Sequence, residues 1–253
     1  MHFICQKDAL LAAVQQASKL CPTRSTLPIL QTVRVSASGP QIMIEASNLD
    51  THIAIPLAAK VEKEGAVALN AKVLIGIVKE TDLPEIAVKV DAKRQAVIST
   101  EGVTFRMAGL DANDFPPRPK TDGKKVTIDQ AALRRVLELT EYACSPDEAR
   151  AALSGVYLHF TKGQSGPELR GVSSDGRRLA LATTPVAEDY DKGVILVRQA
   201  ASLLCASLED QGQATVVVGD ILGVETDRFT LASKTVAAEF PGYTQIIPTA
   251  KGA

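Results

Sequence analysis

The feature that most constrains this chain is that it repeats itself. "FRMAGLDANDFP" (105–116) and "FTLASKTVAAEFP" (229–241) each run from a Phe through alternating residues to an acid followed by Phe-Pro. Three further pairs fall in the same order. "DALLAAVQQASKLC" (8–21) lies opposite "QAALRRVLELTEYAC" (130–144), with Leu10 against Leu133. "EASNLDTHIAIPLA" (45–58) lies opposite "GVSSDGRRLALATTP" (171–185), with Asp50 against Asp175. "GAVALNAKVLIGIV" (65–78) lies opposite "KGVILVRQAASLLC" (192–205), with Lys72 against Arg198. A repeat of roughly 125 residues is domain-sized. The 253 residues therefore read as two copies of one domain, 1–120 and 121–253. The junction "DFPPRPKTDGKK" (114–125) suits an extended connector, because proline removes donors and restricts its neighbours.

Each copy opens on a short strand, "HFIC" or "KVTI", followed by an amphipathic helix. Leu10, Val14, Ala17 and Cys21 share one helical face in the first copy. Leu133, Val136, Leu137 and Thr140 do so in the second, with Asp129 as the N-cap. Three strand-like runs follow: "ILQTVRVSAS", "QIMIEAS" and "HIAIPLAA" in one copy, "GVYLHF", "ELRGVSS" and "RLALATT" in the other. A second helix is expected near 71–81 and 198–209, and further strands close each copy. The expected fold is α+β: antiparallel sheet with one buried and one solvated face, covered by two helices per copy.

Charge and cysteine content exclude several classes. Net charge is −1, and neither half is polarised, so contact with nucleic acid would need cations segregated onto one face. Cys5, Cys21, Cys144 and Cys205 form no CxxC or Cys/His pattern, which argues for free thiols in a reducing, cytoplasmic setting and against a zinc site. The start "MHFICQKDALLAAV" is unlike a signal peptide, and the apolar run "VLIGIV" is too short to span a bilayer. No phosphate-loop, dinucleotide or nucleophile motif occurs, so no catalytic residues, metal or cofactor are expected. His159 in "YLHF" reads as a strand residue.

Two features ask for more than a fold. In "SSDGRR" the Asp175-Gly176 pair reads as a hairpin turn, since Gly accepts positive φ. The turn does not account for Arg177 and Arg178, which the first copy lacks. The predicted helices and their ends also carry Lys7, Lys19, Arg24, Lys72, Lys79, Arg134, Arg135, Arg150 and Arg198. These are either solvated helix faces or a basic lining for phosphate backbones.

"TRSTLPIL" (23–30), "SSDGRRLA" (173–180) and "EFPGYTQIIP" (239–248) closely resemble motifs of the bacterial sliding-clamp family, the β subunit of DNA polymerase III, and their order and spacing fit along the whole chain. The resemblance implies a clamp fold with helices lining a DNA channel, and a non-catalytic ring that tethers polymerase to duplex DNA without reading sequence. By position, Arg24, Lys72, Arg150 and Arg198 resemble channel residues, with Lys19 and Lys79 nearby. The family's pocket for short peptides of polymerases and the clamp loader matches Leu153, Ser174, Gly176, Arg178 and Leu179, with Pro241 and Ile246 on a closing loop and Arg177 and Gln245 at the rim.

The chain departs from the family in stopping at "IIPTAKGA", where a third domain and the tail completing the pocket would follow. Ala151 and Ala152 stand where bulkier or polar residues are expected, and Gln245 where a base is common. Six domains close a clamp ring, so a two-domain chain would close one as a head-to-tail homotrimer, pairing Phe105 and Met107 with Leu179 and Leu181 of the next copy. The alternative is a non-ring clamp relative acting as a partner-binding module.

Overall fold

The computed structural model describes residues 1–100, 103–147 and 149–247. Glu148 of the "SPDEAR" loop and the last residues of "IIPTAKGA" lie outside these. Contacts divide the chain into Met1–Lys120 with Val224–Ala232, and Thr121–Gly223 with Ser233 onward.

In the first unit β1 (His2–Gln6) runs into α1 (Lys7–Ser18), which buries Leu10, Ala13, Val14 and Ala17. Cys21 falls beyond the helix end, in a turn where its N–H donates to the Ser18 carbonyl. The run expected as one strand from Ile29 divides in two. Pro28–Gln31 is a 3-10 turn, because Pro28 presets φ and brings no N–H to a ladder, and β2 begins only at Thr32 (Thr32–Ser38). After it come β3 (Gln41–Ser47), β4 (Thr51–Ala58), β5 (Lys60–Lys63) and β6 (Gly65–Asn70). α2 (Ala71–Lys79) is capped by Asn70, whose side chain accepts the Val73 N–H at 3.1 Å. β7 (Glu85–Val90), β8 (Gln95–Thr100) and β9 (Val103–Ala108) complete the run.

One sheet orders β4-β3-β2-β6, and α1 packs on β2, β3, β4 and α2. The other orders β5-β1-β7-β8-β9. β5, too short and charged to show in the sequence, pairs with β1.

The second unit repeats the plan. β10 (Lys124–Asp129) leads into α3 (Gln130–Glu138), where Asp129 accepts the Ala132 N–H at 3.0 Å, the cap expected of it. Thr140 lies past the helix end and is buried, its hydroxyl donating to the Val136 carbonyl at 2.7 Å. Then follow β11 (Gly155–Gly163), β12 (Gly166–Ser174), β13 (Leu179–Pro185), β14 (Lys192–Val197), α4 (Arg198–Cys205) and β15 (Gln213–Val218). β11 to β14 form an antiparallel sheet in the order β13-β12-β11-β14, and β10 pairs with β15.

Side chains alternate across the four-stranded sheet, so it has two distinct faces. Leu169, Gly171 and Ser173 look toward α3. A Cβ on Gly171 would stand 2.5 Å from Val136, and the Ser173 hydroxyl donates to the Thr140 carbonyl. The opposite face carries Tyr157, His159, Arg170, Val172 and Ile195. It was expected to be solvated, but the segment after Ser233 covers it. That segment docks through the Val236 N–H on the Ile195 carbonyl, 2.9 Å, and through buried Phe240 and Tyr243. The apolar and aromatic residues on this face make the cover favourable, since they would otherwise leave a contiguous greasy patch in water.

All four cysteines are free. Burial pushes the Cys5 thiol up to about 12, and Cys21, Cys144 and Cys205 up to about 11. Among the described residues no group of His, Cys, Asp and Glu could hold a metal ion, and no helix is long and apolar enough to cross a membrane.

Candidate partner-binding cleft and basic surface

The "SSDGRR" turn is wider than a two-residue hairpin. β12 ends at Ser174 and β13 starts at Leu179, leaving 175–178 as the loop. Asp175 Oδ1 accepts the backbone N–H groups of Arg177 and Arg178 at 2.9 and 3.0 Å, and these bonds hold its carboxyl below the usual carboxylate range. Gly176 takes φ +87, which a side chain would resist. Ser174 ties the ends together: its hydroxyl donates to the Arg178 carbonyl (2.8 Å) and accepts the Gly176 N–H (3.0 Å).

The two arginines separate in role. Arg178 pairs with Asp175 at 2.9 Å, donates to the Tyr142 carbonyl at 3.0 Å and lies over the Tyr142 ring at 5.5 Å. It braces the loop. Arg177 is exposed, with no side-chain partner among the described residues. Arg150, a candidate for DNA contact, donates to the Asp175 carbonyl at 3.2 Å and pairs with Asp147 at 3.7 Å, so it belongs to the same loop cluster.

Behind this loop lies an apolar floor. Val172, Ile195, Phe240 and Tyr243 are buried together, and Leu153, Leu179 and Ile247 pack on them half-exposed. Pro241, Gln245 and Ile246 are exposed beside it, Ile246 at 67%. Leu153 and Leu179 thus pack on one apolar cluster with Phe240 and Tyr243 of the closing segment, and the 174–178 loop leads directly into Leu179. The cluster also adds Ile247, Val172 and Tyr243, which the motif did not single out. Alternation along "ELRGVSS" puts Val172 on the face of Arg170 and Ser174, the one signal that could have found it.

The basic candidates fall at helix ends. In the first unit Lys72 occupies the first turn of α2, where the helix dipole disfavours a cation, so helix stability does not account for it. It lines a hollow of about 70 Å³ with Thr23, next to exposed Arg24. Lys19 caps α1, and Lys79 sits in the last turn of α2, where a cation is favoured. In the second unit Arg198 is the first residue of α4. Its Nε donates to Glu141 at 2.9 Å, and the Ser202 hydroxyl donates to the same carboxylate at 2.8 Å.

β9 and β13 each end a sheet. β9 pairs with β8, carrying half-exposed Phe105 and buried Met107. β13 pairs with β12, and its Leu181 is 39% exposed. Between α3 and β13 runs a groove of about 260 Å³ lined by Val136, Leu139 and Leu181.

Two α+β units built to one plan, each laying a pair of helices against antiparallel sheet, define a DNA-clamp type of protein. The family model "DNA polymerase III beta subunit, N-terminal domain" matches residues 1–119, and "DNA polymerase III beta subunit, central domain" matches 127–242. The chain belongs to the bacterial DNA polymerase III β-subunit family. Similar proteins include the beta sliding clamp of Pseudomonas putida KT2440, 31% identical over 98% of this chain and 68% of that protein. The crystal structure of the DNA polymerase sliding clamp from Caulobacter crescentus superposes with a TM-score of 0.92 at 28% identity, covering 100% of this chain and 70% of the other. That from Bacillus subtilis gives 0.91 at 25% identity, covering 98% and 68%. The chain thus spans about two thirds of the length of these relatives.

Proposed function

We propose that the chain is a non-catalytic, sliding-clamp-like DNA-binding protein that acts as an interaction module, docking short linear peptides of a polymerase or clamp loader in the cleft of its second unit. The observation that carries this reading is that the apolar floor, the braced 174–178 loop and the 240–247 segment lie within one unit, so the cleft needs no second copy. A half-exposed apolar trough edged by backbone and polar groups suits an extended peptide. Fluorescence anisotropy with short synthetic peptides from the polymerase and clamp-loader chains of the same cell tests it. Binding should weaken at least tenfold in Leu153→Ala and Leu179→Ala, and wild-type affinity in both variants would overturn the reading.

The sheet-ending strands β9 and β13, with the groove beside β13, favour a second reading: a homotrimeric ring that encircles duplex DNA. Lys72 and Arg24, with Lys19 and Lys79, would then face phosphates through salt-sensitive contacts indifferent to sequence. Trapping on circular against linear duplexes separates the readings. A ring persists on circles and runs off linear ends, whereas a module shows no difference, and a stable monomer at micromolar concentration excludes the ring.

A further inference from the structure

The 240–247 segment is held to the sheet by a hydroxyl that meets a histidine. Tyr243 is buried, and its hydroxyl lies 2.8 Å from His159 Nδ1 on β11. Arg170, opposite His159 on β12, lies beside this hydroxyl, and its Nε pairs with Glu168 at 2.5 Å. With the Arg170 cation beside it, the hydroxyl is best placed to turn its oxygen toward Arg170 and its proton toward an unprotonated Nδ1. The His159 proton is then on Nε2, facing the exposed Asp191 carboxylate at 3.7 Å. Tyr157 stacks on His159 at 5.3 Å and on Phe240 at 4.8 Å, so the same imidazole supports both ends of the segment. Tyr157 fits there because position 193 is glycine: a Cβ would stand 2.0 Å from its hydroxyl.

We propose that His159 is a positioning residue: by holding the Tyr243 hydroxyl it pins the 240–247 segment against the cleft, and taking up a proton it releases that segment. A protonated imidazole turns Nδ1 into a donor that can no longer accept the Tyr243 proton, and it sets a second cation beside Arg170 at the same hydroxyl. Asp191 and, behind Arg170, Glu168 oppose this. Asp191 is 86% exposed and well screened, while Glu168 is already engaged by Arg170. Tyr157, Glu239, Lys192 and Asp220 stand around the same stack. Burial, with Arg170 beside it, holds the His159 pKa below its ordinary value, the direction required if the pinned segment binds the neutral ring. The sign is then fixed: pinning is complete at neutral and higher pH and fails as pH falls through the histidine range.

The consequence for partner binding rests on the cleft reading, but the latch does not, so its test uses no partner. Amide hydrogen exchange on the full chain, expressed as protection factors at pH 8.0 and pH 5.5, follows the Ile246 N–H, which donates to the Tyr243 carbonyl at 3.1 Å. Protection at Ile246 should fall about tenfold on acidification in the wild type. His159→Gln, which keeps an acceptor and cannot titrate, should remove that dependence. Tyr243→Phe should show the low-pH value at both pH values. Unchanged wild-type protection, or a His159→Gln variant as pH-dependent as the wild type, would overturn the latch. Peptide affinity lost in Leu153→Ala with the exchange pattern intact would leave both readings standing. Peptides that never bind, with the exchange pattern intact, would sink only the cleft.

Discussion

The two units put different chemistry on one scaffold position. The repeat aligns Arg34 with His159, Glu45 with Arg170 and Phe115 with Phe240. In the first unit Arg34 and Glu45 form an ion pair, and His52 is buried beside them with its ring edge-on to Phe115 at 6.3 Å. In the second, the matching positions hold an aromatic stack and a shared hydroxyl above an apolar floor. A charge pair satisfies itself and closes a face. An aromatic floor with half-exposed leucines at its rim still has surface to bury, so it stays receptive. The helix ends diverge the other way. Lys72 has no carboxylate partner among the described residues, whereas Arg198 is held by Glu141. Of the two matching helix-start cations, the one without a carboxylate partner is therefore in the first unit, while the aromatic floor is in the second.

The largest effect that would break this comparison is at the aligned phenylalanines. Phe240→Ala and Phe115→Ala each remove a buried ring and should each cost about 3–5 kcal/mol in denaturant unfolding. Only Phe240→Ala should also abolish peptide binding. Equal loss of binding in both would show that the faces are not specialised.

Next comes acidification. His52 is buried with neither ring nitrogen hydrogen-bonded among the described residues, Glu45 standing 3.6 Å from Nε2, and burial, with Arg118 and Arg34 nearby, lowers its pKa from 6.5 to about 4. The unfolded chain takes the proton first. Stability of the first unit should therefore decline as pH falls below 6.5 and level off below about 4, losing about 3 kcal/mol in all. Urea unfolding across that range measures it, and His52→Leu should flatten the dependence.

Smaller, and alike in both units, are the helix caps. Asn70→Ala and Asp129→Ala should each cost about 1 kcal/mol in thermal or urea unfolding. A marked inequality would mean that the shared scaffold is not equally stressed.

The smallest effect is electrostatic. Lys72→Ala should lower the slope of log affinity for duplex DNA against log salt by about 0.9, and Arg198→Ala by less, because Glu141 already neutralises it. Glu141→Gln should bring Arg198 up to the Lys72 value.

Much of the fold was legible because its signals are local. Periodicity marked α1 and α3, Asp129 announced its cap, and alternation marked β3, β4, β11 and β12. β5 escaped because "KVEK" has one apolar residue, and Pro28 cut short a run that alternation alone would extend. The cleft was legible only in part. The 174–178 loop stood out through its motif and Leu153 by its position in the resemblance, but His159 reads as an ordinary strand residue, and its partner Tyr243 is 84 positions away. No window of local pattern spans that distance, and nothing in "YLHF" shows which groups the folded sheet will lay across it.

The raised thiol pKa values have a practical consequence. With every native cysteine held as a slow-reacting thiol near neutral pH, a maleimide dye should find little to modify in the folded chain. A cysteine introduced at exposed Arg177 would then be the preferred point of attachment, placing a reporter on the loop beside the cleft without first stripping the chain of its own cysteines.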